Sequence, residues 1–467
     1  MRILDELNQD TLNEVVAALL NQGGDFAEVF VEKSTLQSVS CEENKIESIA
    51  SGVDLGLGLR LIRGEETYYA SINSIAKSEI MELARKLSQV RSKAPGESVR
   101  WQMTASTSQV VHEIKRDPGT VDFAEKIDLV NKVNSAAWKK DGRICQVEVS
   151  YADKTKEILL ANSLGYFGRE RRIYSVLVLN VIAQSGTLIQ TGREVLGGLA
   201  GFELFNGPAV DKVTDEATKR ALAMLSAKSA PSGKMAVVLD STAGGTMIHE
   251  AIGHSLEADA VQKGISPVYD GKIGEKIASP LISVVDDATL PNRRGSFAFD
   301  DEGTPSQRTM LVEKGILRNY LYDLMTARKD GKKSTGNGRR ESYHFKPIPR
   351  MTNTMIVPGE HEPALIIKSV SKGLYVKKMG GGQVNTATGD FVFEVTEAYE
   401  INNGDIGHPV RGAILTGNGP AVLRSIDMVG KDIGFEIGTC GKDGQHVPVS
   451  DGQPTLRIPE IVVGGTE

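Results

Sequence analysis

The chain has 467 residues, 40% of them hydrophobic and 24% charged, a balance that excludes a disordered or fibrous polypeptide and leaves room for two cores. A formal net charge of -6 excludes the overall basic character of most nucleic-acid-binding proteins, and three irregularly spaced cysteines, Cys41, Cys145 and Cys440, exclude a secreted disulfide framework. Met1 to Asp10 lacks a signal-like apolar run, and apolar stretches such as 175–183 fall short of the roughly 20 residues of a membrane span, so a cytoplasmic chain without transmembrane helices is predicted.

Asp10 reads as the cap of a helix over 11–22, whose Leu12, Val15, Val16, Leu19 and Leu20 share a face and which Gly23 and Gly24 end. Strands are predicted over 26–32, 37–49 and 53–62, the last with apolar residues at every second position from Val53 to Leu61. Helical spacing returns over 78–93 and 121–140, strands over 144–151, 157–162 and 173–190, and a helix over 210–227. The small-residue run Ser229 to Gly233 makes a linker, which divides the chain into an N-terminal α/β domain, 1–228, and a C-terminal domain, 234–467. After the strand 235–239 and the turn 242–245, a helix opens near Thr246. Beyond it, β-branched segments at 374–378, 390–401, 410–416 and 456–463 suggest a sandwich or barrel-like sheet. The class is α+β: an antiparallel sheet with flanking helices, then a mostly-β domain carrying a distorted helix.

That helix carries His249-Glu250-Ala251-Ile252-Gly253-His254. Histidines four apart lie on one helical face, but five apart they diverge by about 140° on a regular α-helix and cannot share an ion. The spacing therefore predicts a π-bulge or an early helix end at 250–254, with Gly253 as the residue free to adopt an unusual backbone conformation. Two neutral imidazoles and a third protein ligand would hold a catalytic zinc ion with one coordination position open. Glu250, beside the metal but not on it, is placed to take a proton from water as general base. Glu257, Asp259, His344, His408, His446 and Cys440 are all candidates for the third ligand, and spacing does not choose among them. Cys41 and Cys145 lie in strand patterns and read as core.

The run from Gly244 to Asp259, together with Ser334 to Tyr343, Pro349 to Asn353 and Gly438 to Gly441, resembles the TldD branch of the TldD/PmbA family of metallopeptidases over essentially the whole chain. The resemblance implies that His249, His254 and Cys440 are the zinc ligands and Glu250 the base. It further implies a dimer enclosing the site, formed with a catalytically silent PmbA/TldE-like partner or a second copy, and acting on small unfolded polypeptides or modified peptides. A silent peptide-binding module with a structural or absent metal is the alternative.

Four residues are candidates for substrate contact. Gly381 and Gly382 would offer backbone amides to a peptide strand, and Tyr343 and His344 would donate to a developing oxyanion. The basic cluster Lys329, Lys332, Lys333, Arg339 and Arg340 reads as a solvated loop, and Asp300-Asp301-Glu302 as a solvated acidic turn.

Overall fold

The structure is a computed structural model that describes residues 7–90, 104–105, 112–385 and 387–465. The ends of two sequence-predicted features, the start Met1 to Asp10 and the helix 78–93, run outside these residues.

The N-terminal half is one long sheet made of two three-stranded antiparallel meanders joined along Phe26–Glu42 and Ile144–Asn162. In spatial order its strands are Glu66–Ile72, Lys45–Arg63, Phe26–Glu42, Ile144–Asn162, Tyr166–Ser185 and Leu188–Gly198. The sequence predicts a break near residue 34 and a continuous strand over 37–49; instead, Phe26–Glu42 and Lys45–Arg63 form one hairpin. Its turn is Glu43-Asn44, with φ of 48° and 65°. Asn tolerates that left-handed conformation, and two consecutive positive φ values match the twist of a two-residue hairpin. The missing break at 34 has a physical cause: Glu28, Glu32 and Ser34 interrupt the apolar pattern yet are buried.

The two faces of the strand Phe26–Glu42 explain this. Its odd-numbered residues Ala27, Val29, Val31 and Val39 pack under helices on one side of the sheet. Helices Gln9–Leu19 and Lys77–Ser88 cover one end, and Phe123–Trp138 and Pro208–Leu225 the other. The first is capped by Asn8, whose side chain accepts from Thr11 N–H at 2.9 Å, not by Asp10. On the other face Phe30 joins Ile158 and Leu160 against Phe299 and Tyr343 of the C-terminal half.

That half is built from two large sheets around one core, with the two-stranded pair Gly338–Arg339 and Ile348–Pro349 beside them. Strands Lys372–Val384, Gly233–Leu239, Leu456–Gly464, Ile414–Asn418 and Asp390–Asn402 pair in sequence, and the last returns to pair with the first, closing a five-stranded ring. The second sheet runs Ile316–Leu317, Arg308–Glu313, Val284–Asp287, Asn353–Ile356, Gln445–Gln453 and Gly434–Lys442, with the last strand at its edge. A short helical segment between the sheets sinks Met247, Ile248, Ile252 and Leu256 into the shared core.

The two halves meet across buried charge. Asp300, Asp301 and Glu302, predicted as a solvated turn, are buried, as are Arg339 and Arg340 of the predicted solvated basic loop. Arg60 lies 2.9 Å from Glu28 and 2.6 Å from Glu302, while Arg340 pairs with Glu28 and Arg172 lies 2.8 Å from Asp301. Asp300 accepts from the backbone amides of Glu302, Thr304 and Gly338. Composition reads such residues as surface because charges seldom enter a core unpaired; here Asp301, Glu302 and Arg340 meet counter-charges, Asp300 meets amide donors, and Arg339 donates to the carbonyls of Met351 and Pro448. Cys41 is buried as predicted, but Cys145 is exposed. Among the described residues no helix is long and apolar enough to cross a membrane.

Candidate metal centre

The segment bearing the histidines changes helix type within eleven residues. Thr246–Ile248 is α-helical, His249–Gly253 is π-helical, and His254–Leu256 tightens to a 3-10 turn. The amide of His254 donates to the carbonyl of His249, so the i→i+5 bond that defines a π-turn joins the two histidines themselves. Their rings consequently stand edge to face with centroids 4.9 Å apart.

Gly253 plays a different part from the one its flexibility suggested. Its φ of -55° and ψ of -61° are ordinary right-handed helix values, open to any residue. What it provides is space, because a Cβ there would lie 2.0 Å from Met351 Sδ. Gly245 does the same at the helix start, where a Cβ would meet Asp451 Cβ at 2.5 Å. That close approach lets Asp451 reach the first histidine.

Asp451 Oδ1 accepts from His249 Nδ1 at 2.8 Å, and Glu257 Oε2 from His254 Nδ1 at 3.0 Å. With each Nδ1 engaged by a carboxylate, each ring turns its Nε2 outward as the free ligand atom. Cys440 Sγ lies 3.5 Å from His254 Nε2, and one donor atom from each of His249, His254 and Cys440 falls within 4.8 Å of the others.

Sequence gave no sign of Asp451, which arrives from a strand some 200 positions away. Arg350 and Lys442 were missed too. The fully buried Arg350 guanidinium donates to the carbonyls of Cys440 and Gln445, and its neighbour Met351 packs on Gly253. The run Pro349 to Asn353 thus braces two sides of the site, a role its residue types alone do not disclose. Lys442 Nζ lies 3.1 Å from Glu257 and 2.5 Å from Asp259, so both carboxylates are occupied away from the sulfur and the Nε2 atoms.

The electrostatics of the triad are coupled. Burial raises the Cys440 thiol, but the two imidazoles outweigh it and bring the group down to about 5. Burial disfavours a charged His254, yet Glu257 and Cys440 hold it up to about 10, and Asp451 and Cys440 likewise hold His249 well above its ordinary value. Glu257, opposed by burial, is drawn down to about 2 by Lys442 and His254. Glu250 is raised by burial, despite both imidazoles. Two imidazoles and a thiolate-prone sulfur converging on one point, with Nδ1 atoms fixed by carboxylates, form a donor set that fits zinc.

Two clefts of about 530 and 560 Å³ meet at Glu250 and Gly382, which line both. Gly381 lines the second, and a Cβ there would touch nothing within 4 Å. This opening arises because the strand Lys372–Val384 slips register between Met379 and Gly382 against its partner.

Tyr343 and His344 are elsewhere. Tyr343 is 1% exposed, packed against Gly56, and donates its hydroxyl to Asp54 at 2.8 Å. His344 is exposed with Nε2 3.8 Å from Asp54, and neither residue lines either cleft. Both were expected to donate to an oxyanion; that hydroxyl is already committed to a carboxylate at the junction of the two halves. Among the other candidate ligands, His408 is exposed, and His446 sits on the strand beside Cys440 but points to Glu341, 3.5 Å away.

Comparison with known proteins agrees with these features. The chain matches the PmbA/TldA metallopeptidase domain 1 over residues 27–90, the central domain over 116–225 and the C-terminal domain over 232–465. It is 37% identical to a metalloprotease TldD homolog of Haemophilus influenzae, over 98% of this chain and 97% of that protein. A zinc metalloprotease TldD homolog of Saccharolobus solfataricus is 26% identical over 95% of this chain and 97% of its own. The fold also superposes on TldE from Thermococcus kodakarensis with a TM-score of 0.80 at 18% identity, covering 97% of this chain and all of that one. On the matched domains and the full-length relatives, the chain belongs to the PmbA/TldD family of metallopeptidases.

Proposed function

We propose that this chain is a zinc-dependent peptidase in which His249, His254 and Cys440 hold the metal and Glu250 is the general base. The observation that carries the reading is the convergence of three donor atoms within 4.8 Å of one another on a cleft that Glu250 also lines. A zinc ion held there would supply Lewis acidity to a scissile carbonyl and to water. Its choice as the metal draws support from the two-nitrogen, one-sulfur donor set and from the zinc metalloprotease among the relatives.

The chain's own groups divide the remaining work. Asp451 and Glu257 keep Nδ1–H on each imidazole, so both rings present Nε2. Glu250, raised above the ordinary carboxylate value by burial, is the group that would accept a proton from water and return it to a leaving amine. Gly381 and Gly382 border the clefts, and at Gly381 nothing lies within 4 Å of where a side chain would begin, which suits an extended, unfolded polypeptide over a folded one. The fold likeness to TldE supports assembly with a PmbA/TldE-like chain, with a second copy as the other pairing, around a shared cavity. A thiol ligand that must stay reduced, and three cysteines without a disulfide, favour the cytoplasm.

Hydrolysis of an unfolded polypeptide by Glu250→Gln tests the assignment. The variant should retain zinc at the wild-type level and lose turnover by at least roughly 10²-fold. Unchanged turnover at full zinc content would remove Glu250 from the role of base.

A further inference from the structure

A cleft unconnected with the metal centre lies between the two halves of the chain, with a volume of about 730 Å³. Its floor is apolar: Phe26 and Ile62 from the N-terminal sheet face Leu324, Met325 and Ala327 from the helix Leu324–Lys329. Leu164, from the turn between the strands Ile144–Asn162 and Tyr166–Ser185, adds a 65% exposed aliphatic side chain at its mouth. Pockets of roughly 300–1,000 Å³ with apolar walls at domain junctions are the usual setting for small-molecule binding.

The rim determines the charge of the occupant. Arg328 lies 3.2 Å from Asp25, whose carboxylate also accepts from Gly64 N–H at 2.6 Å. Lys329 lies 3.5 Å from Glu65. These pairs cross from one half to the other and neutralise Arg328, on the rim, and Lys329 beside it. Lys332 and Lys333, also on the rim, are exposed and have no ion-pair partner among the described residues. The helix beneath them is anchored, since Leu324 N–H donates to buried Glu302 at 2.7 Å and Asp323 caps the first turn through Thr326. The walls are therefore preformed, and the surplus charge at the mouth is positive.

We propose that this cleft binds an amphipathic anion of small-molecule size, an acyl chain ending in a carboxylate, with the chain on the apolar floor and the head group against Lys332 and Lys333. The site is independent of the peptidase reading, because no residue lining it belongs to the metal centre or its two clefts. A ligand there would touch both halves and favour their association by mass action.

The test is calorimetric titration of the zinc-loaded full chain with decanoate, below its self-association concentration, with decanol as the uncharged counterpart. Decanoate should bind saturably with one site per chain and more tightly than decanol. Lys332→Glu combined with Lys333→Glu should weaken decanoate by roughly tenfold while leaving decanol unchanged, as reversal of two exposed charges allows. Leu164→Asp, a change at an exposed position that should not disturb folding, should weaken both. His254→Ala should bind decanoate like the wild type, which separates this site from carboxylate binding at the metal. Absence of saturable binding, equal decanoate affinity in the charge-reversed chain, or loss of binding only in His254→Ala would each overturn the proposal.

Discussion

Met351 Sδ fills the space that a side chain at position 253 would need: a methyl group on Gly253 would lie 2.0 Å from it. Gly253→Ala should therefore push the π-turn off the Met351 wall. Overpacking of this kind costs about 1–3 kcal/mol, and should lower zinc affinity because His254 follows directly. Combining Gly253→Ala with Met351→Ala should restore part of the lost affinity, since the cavity accommodates the methyl. Zinc competition against a chelator, run as a double-mutant cycle, measures the coupling.

The carboxylates behind the imidazoles should matter to the metal without touching it. Asp451→Asn and Glu257→Gln preserve shape but remove the charge that orients and enriches each ring. Each should weaken zinc binding by roughly 10–100-fold with little change in secondary structure. The same chelator competition, checked by circular dichroism, reads the effect.

Metal uptake should depend on pH in a defined direction. With Cys440 brought down to about 5 and His254 held up to about 10, the metal-free triad between those values is a thiolate beside protonated imidazole. Binding a divalent ion must displace the imidazole protons, so affinity should rise with pH through this window, by roughly tenfold per unit for each proton released. Below about pH 5 the sulfur takes a proton as well, and affinity should fall more steeply. Calorimetry in buffers of different ionisation enthalpy counts the protons.

The buried charges joining the two halves carry a separate expectation. Arg340 pairs with Glu28 and donates to the Asp301 carbonyl. Arg340→Met should leave Glu28 undercompensated and destabilise the fold by about 3–5 kcal/mol, a typical cost for breaking one side of a buried pair. A lowered denaturant midpoint, with the zinc site intact in the remaining folded protein, is the expected readout.

The elements that sequence disclosed are those whose pattern is local. The helix at Gln9–Leu19, with four apolar residues on one face, and the strand pairing that brings Leu57, Leu59 and Leu61 to the helical side both follow from periodicity. The five-residue spacing of the histidines demanded a distortion because geometry forbids convergence otherwise. What stayed hidden depends on distant partners. Glu28 and Glu302 look like surface residues until Arg60 is placed between them, and Asp451 has no local signal linking it to His249. Tyr343 has the chemistry of an oxyanion donor, but only the fold shows its hydroxyl committed to Asp54. Gly253 was marked by the right motif for the wrong reason, since sequence does not distinguish a glycine needed for φ from one needed for room.

Zinc K-edge X-ray absorption on the zinc-loaded chain tests most directly the claim on which the rest depends. The account predicts one sulfur scatterer and two imidazoles around the ion, with the sulfur contribution lost in Cys440→Ser. A spectrum with no sulfur neighbour in the wild type, or with four protein ligands closing the coordination sphere, would contradict it.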